Sequence, residues 1–379
     1  MKHLRSLVIH LGLFLITLLA TTFAGAEWMR GRPFFYTTAP LGWAEFWEGF
    51  QYSIPFLGIL TVHEFGHYLT AQYYHLRVTL PYYIPLWFGF IPFFAGAPTI
   101  GTMGAFIRIK SFIESRKVYF DVGIAGPLAG FVIALGVLWY GFAHLPPPEH
   151  IFEIHPEYQQ YGLDYARHVY DEESMRGGIK LGTNLLFEFF KHYVADPERL
   201  PNDFELMHYP YLLAGYLALF FTALNLIPIG QLDGGHVLYG LIGYKKHRIV
   251  AKILFFLFLG YAGLGLFTVQ NLFEQPMNLL FYLGYLYLVW QPNTESPLEA
   301  MVLTAGLLVG QLVFHLLLPQ IEGYAAWLVF GFLLGRVVKV AHPKATQDKP
   351  LDTGRKILGV VALLIFVLCF TPRPLLILE

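Results

Sequence analysis

The chain has 379 residues, of which 56% are hydrophobic and 17% aromatic, while only 13% are charged. A soluble domain of this size would be nearer a quarter charged, so the composition excludes an ordinary soluble globule and points to a polytopic membrane protein. The formal net charge of −1 gives no reason to expect nucleic acid, and the single cysteine, Cys369, can form neither an internal disulfide nor a thiolate zinc site, so any metal must rest on His and carboxylate ligands.

Apolar runs of about 20 residues, long enough to span a bilayer, fall near 4–24, 50–70, 119–143, 209–230, 249–270, 300–318, 323–340 and 356–371. The run 277–291 is shorter and reads as a short span or a re-entrant piece. The predicted fold is therefore an all-α polytopic membrane protein with eight or nine transmembrane segments. At the N-terminus, Lys2, Arg5, the apolar stretch Leu7 to Ala20 and the small residues Ala24-Gly25-Ala26 fit a signal peptide or a retained first helix. Retention is the expectation, because a multi-span protein needs no removable signal. Either outcome leaves Glu27 to Glu48 outside.

The next element, 50–70, carries His63-Glu64-Phe65-Gly66-His67 inside an apolar run. Two His at i and i+4 share one helix face, one turn apart. A tetrahedral zinc ion can take a nitrogen from each, and Glu64 can polarise a metal-bound water. Ionisable groups within a span are costly, so three within five residues point to function rather than to chance.

Segment 77–117 follows, with Pro81, Pro85, Pro92 and Pro98 and Gly89, Gly96, Gly101 and Gly104 among apolar and aromatic residues. Proline at this density excludes a regular helix. Residues 100–109 read as a strand interrupted by glycine turns, part of a small membrane-associated β-hairpin or sheet on the cytosolic side. Such irregular backbone is tolerated at membrane depth where it is buried in protein or lines a wet cavity. Gly101 and Gly104 would permit close backbone approach to a substrate, or simply form turns. Arg108, Lys110, Arg116 and Lys117 read as a topology signal in contact with lipid headgroups.

The connection 144–208 holds 12 acidic against 5 basic side chains. With the N-terminus inside and nine spans, the inside segments hold 17 of the 25 basic residues and this connection falls outside. The same topology places His63, His67 and the stretch Asn225 to Asp233 at one depth on the cytosolic side. Within the connection, Glu188 faces water on an interfacial helix. His10, His75 and His315 read as lone structural histidines.

The run Asn225-Leu226-Ile227-Pro228-Ile229-Gly230-Gln231-Leu232-Asp233-Gly234-Gly235-His236 ends a long apolar stretch. By itself it reads as a helix end, with Asp233 capping the next helix. Beside His63 and His67 it offers the missing third ligand: two His, one carboxylate and a water complete a catalytic zinc site. His236 is the competing candidate, with an outer-shell or structural role expected for it. The Asn225 amide could hydrogen-bond a substrate backbone or steady an oxyanion.

The two motifs together resemble the intramembrane site-2 zinc metalloproteases over about 50–245, with Gly126-Pro127-Leu128-Ala129-Gly130 in the third span also matching. The run Leu226 to His236, with Gly101-Thr102-Met103-Gly104-Ala105-Phe106, looks like the branch that includes the plant chloroplast EGY proteins and their bacterial relatives. The resemblance implies one Zn²⁺ per chain held by His63, His67 and Asp233, Glu64 as general base and proton shuttle, and Asn225, Gly101 and Gly104 engaged with substrate. It further implies strand pairing between 100–109 and an unwound transmembrane protein substrate, a first cut by an upstream site-1 type protease, and residence in a bacterial inner membrane with the active site toward the cytosol. Many bacterial members carry a PDZ domain outside; the 144–208 connection looks too short and irregular for one. This organisation divides the chain into a first helix and outer loop (1–49), a metalloprotease core (50–245) and additional helices (246–379). The competing readings are a cation transporter using His63, His67 and Asp233, for which no inverted repeat is evident, and an inactive relative, which could dispense with Glu64.

Overall fold

The computed structural model of the chain describes residues 2–94, 99–170, 178–272 and 274–377; Gly96 and Pro98 of the irregular segment lie outside them. In chain order the principal elements are α1 (Lys2–Arg30), α2 (Phe50–Tyr73), β1 (Tyr82–Leu86), β2 (Gly101–Phe106), α3 (Arg116–Ala143), β3 (Ile179–Leu181), α4 (Leu185–Tyr193), α5 (Pro210–Leu226), α6 (Asp233–Ala262), α7 (Pro276–Trp290), α8 (Pro297–Leu317), α9 (Trp327–Phe332), α10 (Thr353–Cys369) and β4 (Leu375–Ile377). Every apolar run singled out above is thus helical over most of its length. Among the described residues, Leu4–Arg30, Arg116–Ala143 and Pro297–Leu317 are long and apolar enough to cross a membrane. The 24-residue α2 is about 36 Å long, but its His and Glu side chains interrupt its apolarity.

Contacts divide the chain into two units. The first comprises residues 1–112, 125–224 and 364–379. In it, α1 and α2 pack through small residues. A Cβ on Gly25 would lie 2.5 Å from Tyr52 Cδ1, one on Gly49 would lie 2.2 Å from the Thr22 carbonyl oxygen, and Thr22 and Ser53 share a hydroxyl hydrogen bond of 2.9 Å. Close backbone approach and one polar pair are what hold helices together where lipid removes the hydrophobic drive. Trp28 Nε1 and Tyr52 Oη then donate to the Thr99 and Ile100 carbonyls, at 2.8 and 3.0 Å, and pin the entry of β2.

The expected hairpin is present. β1 and β2 are antiparallel, pairing Tyr82 with Phe106 and Leu86 with Gly101, with a register shift between Tyr83 and Pro85. The regular strand is shorter than the 100–109 run; pairing resumes at Val78 with Ile109 as a single bridge. Thr102 holds the irregularity: its hydroxyl donates to the Ile84 carbonyl (2.8 Å) and accepts from Gly104 N–H (3.0 Å). Gly104 has φ +105°, the left-handed region that glycine alone enters without strain. A second two-stranded sheet, not anticipated from the sequence, pairs Ile179–Leu181 with Leu375–Ile377. It joins Leu375–Ile377 to the 144–208 connection within the first unit. Asn184 caps α4 by accepting from Phe187 N–H, and Glu188 on that helix is exposed, as expected.

The second unit comprises residues 113–124 and 225–363. Here α6 begins at Asp233, well before the apolar run at 249, and bends at Gly243, whose φ is +76°. Its first half is too polar to span, which is why hydropathy alone places the start too late. Gln311 of α8 bridges α6 and α7, donating to the Leu259 carbonyl (3.1 Å) and accepting from Tyr282 Oη (3.0 Å). Arg355 clamps Asp121 through two bonds of 2.7 and 2.8 Å. Arg116 does not contact headgroups: it is buried, with Nε donating to the Gly240 carbonyl (3.0 Å) and Nη1 3.4 Å from Asp348. A buried guanidinium needs such partners, and they come from residues more than a hundred positions away.

Among the lone histidines, His75 is exposed in the left-handed turn that ends α2. His10 is buried against Tyr82 and donates Nδ1–H to the Ser6 carbonyl (2.6 Å), while its Nε2 has no partner among the described residues.

Candidate metal centre

His63 and His67 lie one turn apart on α2, both buried, with Nε2 atoms 3.1 Å apart and ring planes at 75°. A tetrahedral zinc with bonds of 2.0–2.1 Å separates its nitrogen ligands by about 3.3–3.4 Å. The pair therefore has the reach a zinc site needs, and the donor set of two imidazoles fits that metal. Glu64, next to His63 in sequence, is also buried, at 5% exposure. Thr61, one turn earlier on α2, shares a hydrogen bond of 2.8 Å with Tyr83 of β1 and ties the hairpin to the same helix.

What positions the imidazoles is the absence of side chains opposite. A Cβ on Gly126 would fall 2.2 Å from His67 Nε2, one on Gly130 would fall 3.0 Å from His63 Cβ, and one on Gly66 would fall 2.6 Å from the Ala125 carbonyl oxygen. The Gly126-to-Gly130 spacing lets the backbone of α3 rest against the imidazole face of α2. A Gly126→Ala substitution is expected to displace the His67 ring and weaken zinc binding by about 10–100-fold, the usual cost of a disturbed ligand orientation. The measurement is zinc per chain in purified protein, and a Gly126→Ala protein with undiminished zinc would contradict it.

The strand glycines divide in their roles. Gly101, at φ +82°, sits where a Cβ would lie 2.3 Å from Thr21 Cα, so its freedom is used against the backbone of α1. Gly104 is buried as well, but a Cβ there would meet only Phe221, at 4.0 Å.

In the second unit, Asn225 is the penultimate residue of α5 and half-buried. The chain then turns through Gly230 (φ +63°), whose N–H donates to the Val340 carbonyl (3.1 Å), before α6 starts. Gly234 and Gly235 lie against the turn itself: a Cβ on either would come within 2.0 Å of the Leu226 and 2.3 Å of the Gly230 carbonyl oxygens. The helix-cap reading of Asp233 does not hold. Leu232 is the N-cap residue and Asp233 is the first helical residue. His236 is tied to His342, with Nδ1 2.7 Å from His342 Nε2 and its ring stacked on Tyr119. His342 Nδ1–H donates to the Pro343 carbonyl (2.5 Å), so His342 Nε2 accepts and His236 Nδ1–H donates. That network accounts for the structural role expected of His236. Sequence reading missed a further cluster, His155, Glu205 and His208 in the first unit; the only signal for it was the i, i+3 spacing of Glu205 and His208.

The family model described as Peptidase family M50 matches residues 51–261, which include both motifs. The protein named "Probable zinc metalloprotease EGY2, chloroplastic" of Oryza sativa subsp. indica is 27% identical over 252 residues, which cover 66% of this chain and 38% of that protein. The one named "Probable zinc metalloprotease EGY1, chloroplastic" of Arabidopsis thaliana is 28% identical over 211 residues, covering 55% and 32%. The matched part of the chain thus spans about a third of the length of these curated relatives. No solved structure matches the chain.

Proposed function

The chain belongs to peptidase family M50, and from that premise we propose that it is an intramembrane zinc endopeptidase, hydrolysing peptide bonds within transmembrane segments of protein substrates. The observation that carries this reading is the buried His63–His67 pair, nitrogen to nitrogen 3.1 Å, with Glu64 buried on the same helix. The proposed ligands are His63, His67 and Asp233; the site has no thiolate to offer, and two imidazoles with one carboxylate suit a catalytic zinc. Bound there, zinc would polarise the scissile carbonyl and lower the pKa of the attacking water. The Glu64 carboxylate takes the proton that the water loses on attack and returns it to the departing amide nitrogen. The Asn225 amide donates to the substrate backbone.

A peptide bond in a helix is shielded by its own hydrogen bonds, so the substrate must be unwound before attack. Strand addition along β2 replaces the lost backbone bonds. In this reading the chain has eight or nine spans. The distribution of Lys and Arg supports a cytosol-facing active site, in a bacterial inner membrane by the notional branch, although the relatives named above are chloroplastic. The physiological substrate would be a membrane protein already cut once by a site-1 type protease, in regulated intramembrane proteolysis.

The test is cleavage of a transmembrane protein substrate co-reconstituted with the purified chain in vesicles. Chelation should abolish cleavage and added zinc should restore it. Zinc-independent cation uptake with no cleavage would replace the protease reading with transport.

A further inference from the structure

The outer connection holds a second group of metal-type donors, remote in sequence from the first motif. His155, Glu205 and His208 all belong to the first unit. Glu205 is 2% exposed and His208 is 6% exposed. His155 Nε2 lies 3.4 Å from His208 Nε2 and 3.6 Å from Glu205 Oε2, and His208 Nε2 lies 3.2 Å from the same oxygen.

The hydrogen bonds around the cluster fix what those atoms can do. His208 Nδ1–H donates to the Trp28 carbonyl (2.7 Å) in the last turn of α1, a carbonyl with no partner inside the helix. His155 Nδ1–H donates to Glu157 (3.1 Å). With each Nδ1 carrying the proton, each neutral ring presents a lone pair at Nε2. The second Glu205 oxygen, Oε1, accepts from Tyr170 Oη. Oε2 is buried with no hydrogen-bond partner. With both rings neutral, three acceptor atoms converge with no hydrogen between them, an arrangement that is repulsive without a cation at its centre.

The spacing identifies the cation. Ligands of a tetrahedral zinc at 2.0–2.2 Å stand about 3.3–3.6 Å apart, and the three edges here are 3.2, 3.4 and 3.6 Å. The 3₁₀ turn Leu206–His208 brings Glu205 and His208 to one side, since residues three apart eclipse in that geometry. His155 comes from the turn that ends the short helix Ile151–Ile154, and its partly exposed ring leaves a way in from solvent. Both ligand rings have the outer-shell acceptors that metal-bound imidazoles ordinarily show.

We propose that His155, Glu205 and His208 form a second site for a zinc-type divalent cation, which fastens the outer connection to the end of α1. The experiment uses full-length protein, stripped by chelator, reloaded with Zn²⁺ alone and freed of excess metal by gel filtration. The wild type should hold two zinc ions per chain, a His63→Ala/His67→Ala variant one, and a His155→Ala/His208→Ala variant one. The isosteric Glu205→Gln should also lose the second equivalent. In the His63→Ala/His67→Ala background, zinc should still raise the melting temperature. Equal zinc in the wild type and the His155→Ala/His208→Ala and Glu205→Gln variants, or no zinc-dependent rise in that background, would overturn the proposal and leave a proton shared by Glu205 and His208 as the occupant. The two arms read separately, so failure of the His63–His67 site leaves this one standing.

Discussion

Glu64→Gln should reduce cleavage of a reconstituted transmembrane substrate by about 10²–10⁴-fold, the usual worth of a positioned general base, while zinc content stays at the wild-type value. The reasoning is geometric. Glu64 is buried on α2 beside His63 and about one turn before His67. Gln keeps the volume and one acceptor oxygen but cannot take up a proton, so the substitution isolates the proton transfer from the folding of the helix. Burying a carboxylate here costs stability, and the variant should melt no lower than the wild type. Full cleavage by Glu64→Gln would remove Glu64 from the mechanism; loss of zinc as well would make its role one of holding the site rather than of moving a proton.

Asp233→Ala should remove one zinc equivalent per chain while the protein still inserts and remains monodisperse. The loss should exceed the roughly 10–100-fold that follows removal of an outer-shell partner, because a ligand itself is taken away. Asp233 is well suited to such a separation of effects. It is the first residue of α6 and not its N-cap, which is Leu232. The packing of the turn is carried instead by Gly230, Gly234 and Gly235. Undiminished zinc in Asp233→Ala would pass the third-ligand role to His236. In the network with His342 that ring keeps its acceptor nitrogen at Nε2.

How far the sequence reaches can be followed residue by residue. His63 and His67 were legible because an α-helix repeats every 3.6 residues, so i and i+4 must share a face whatever surrounds them. Proline density marked 77–117 as non-helical, and glycine placement marked its strand. The bulge between Tyr83 and Pro85 was not legible, because it depends on the Thr102 hydroxyl meeting the Ile84 carbonyl across the hairpin. Gly101 was read as room for a substrate; the space it leaves is occupied by α1. Arg116 was read as a headgroup contact, since a basic residue beside a span is usually that; its partners Gly240 and Asp348 come from distant sequence.

Local pattern alone settled the membrane class, the helices and the two histidines that face one another, because hydropathy and helical periodicity act over one or two turns. The glycines that seat those rings, and the meeting of His155 with Glu205 and His208, were decided by packing between segments tens of residues apart. No periodicity links such segments: chain closure, steric fit and the need to satisfy buried polar atoms bring them together.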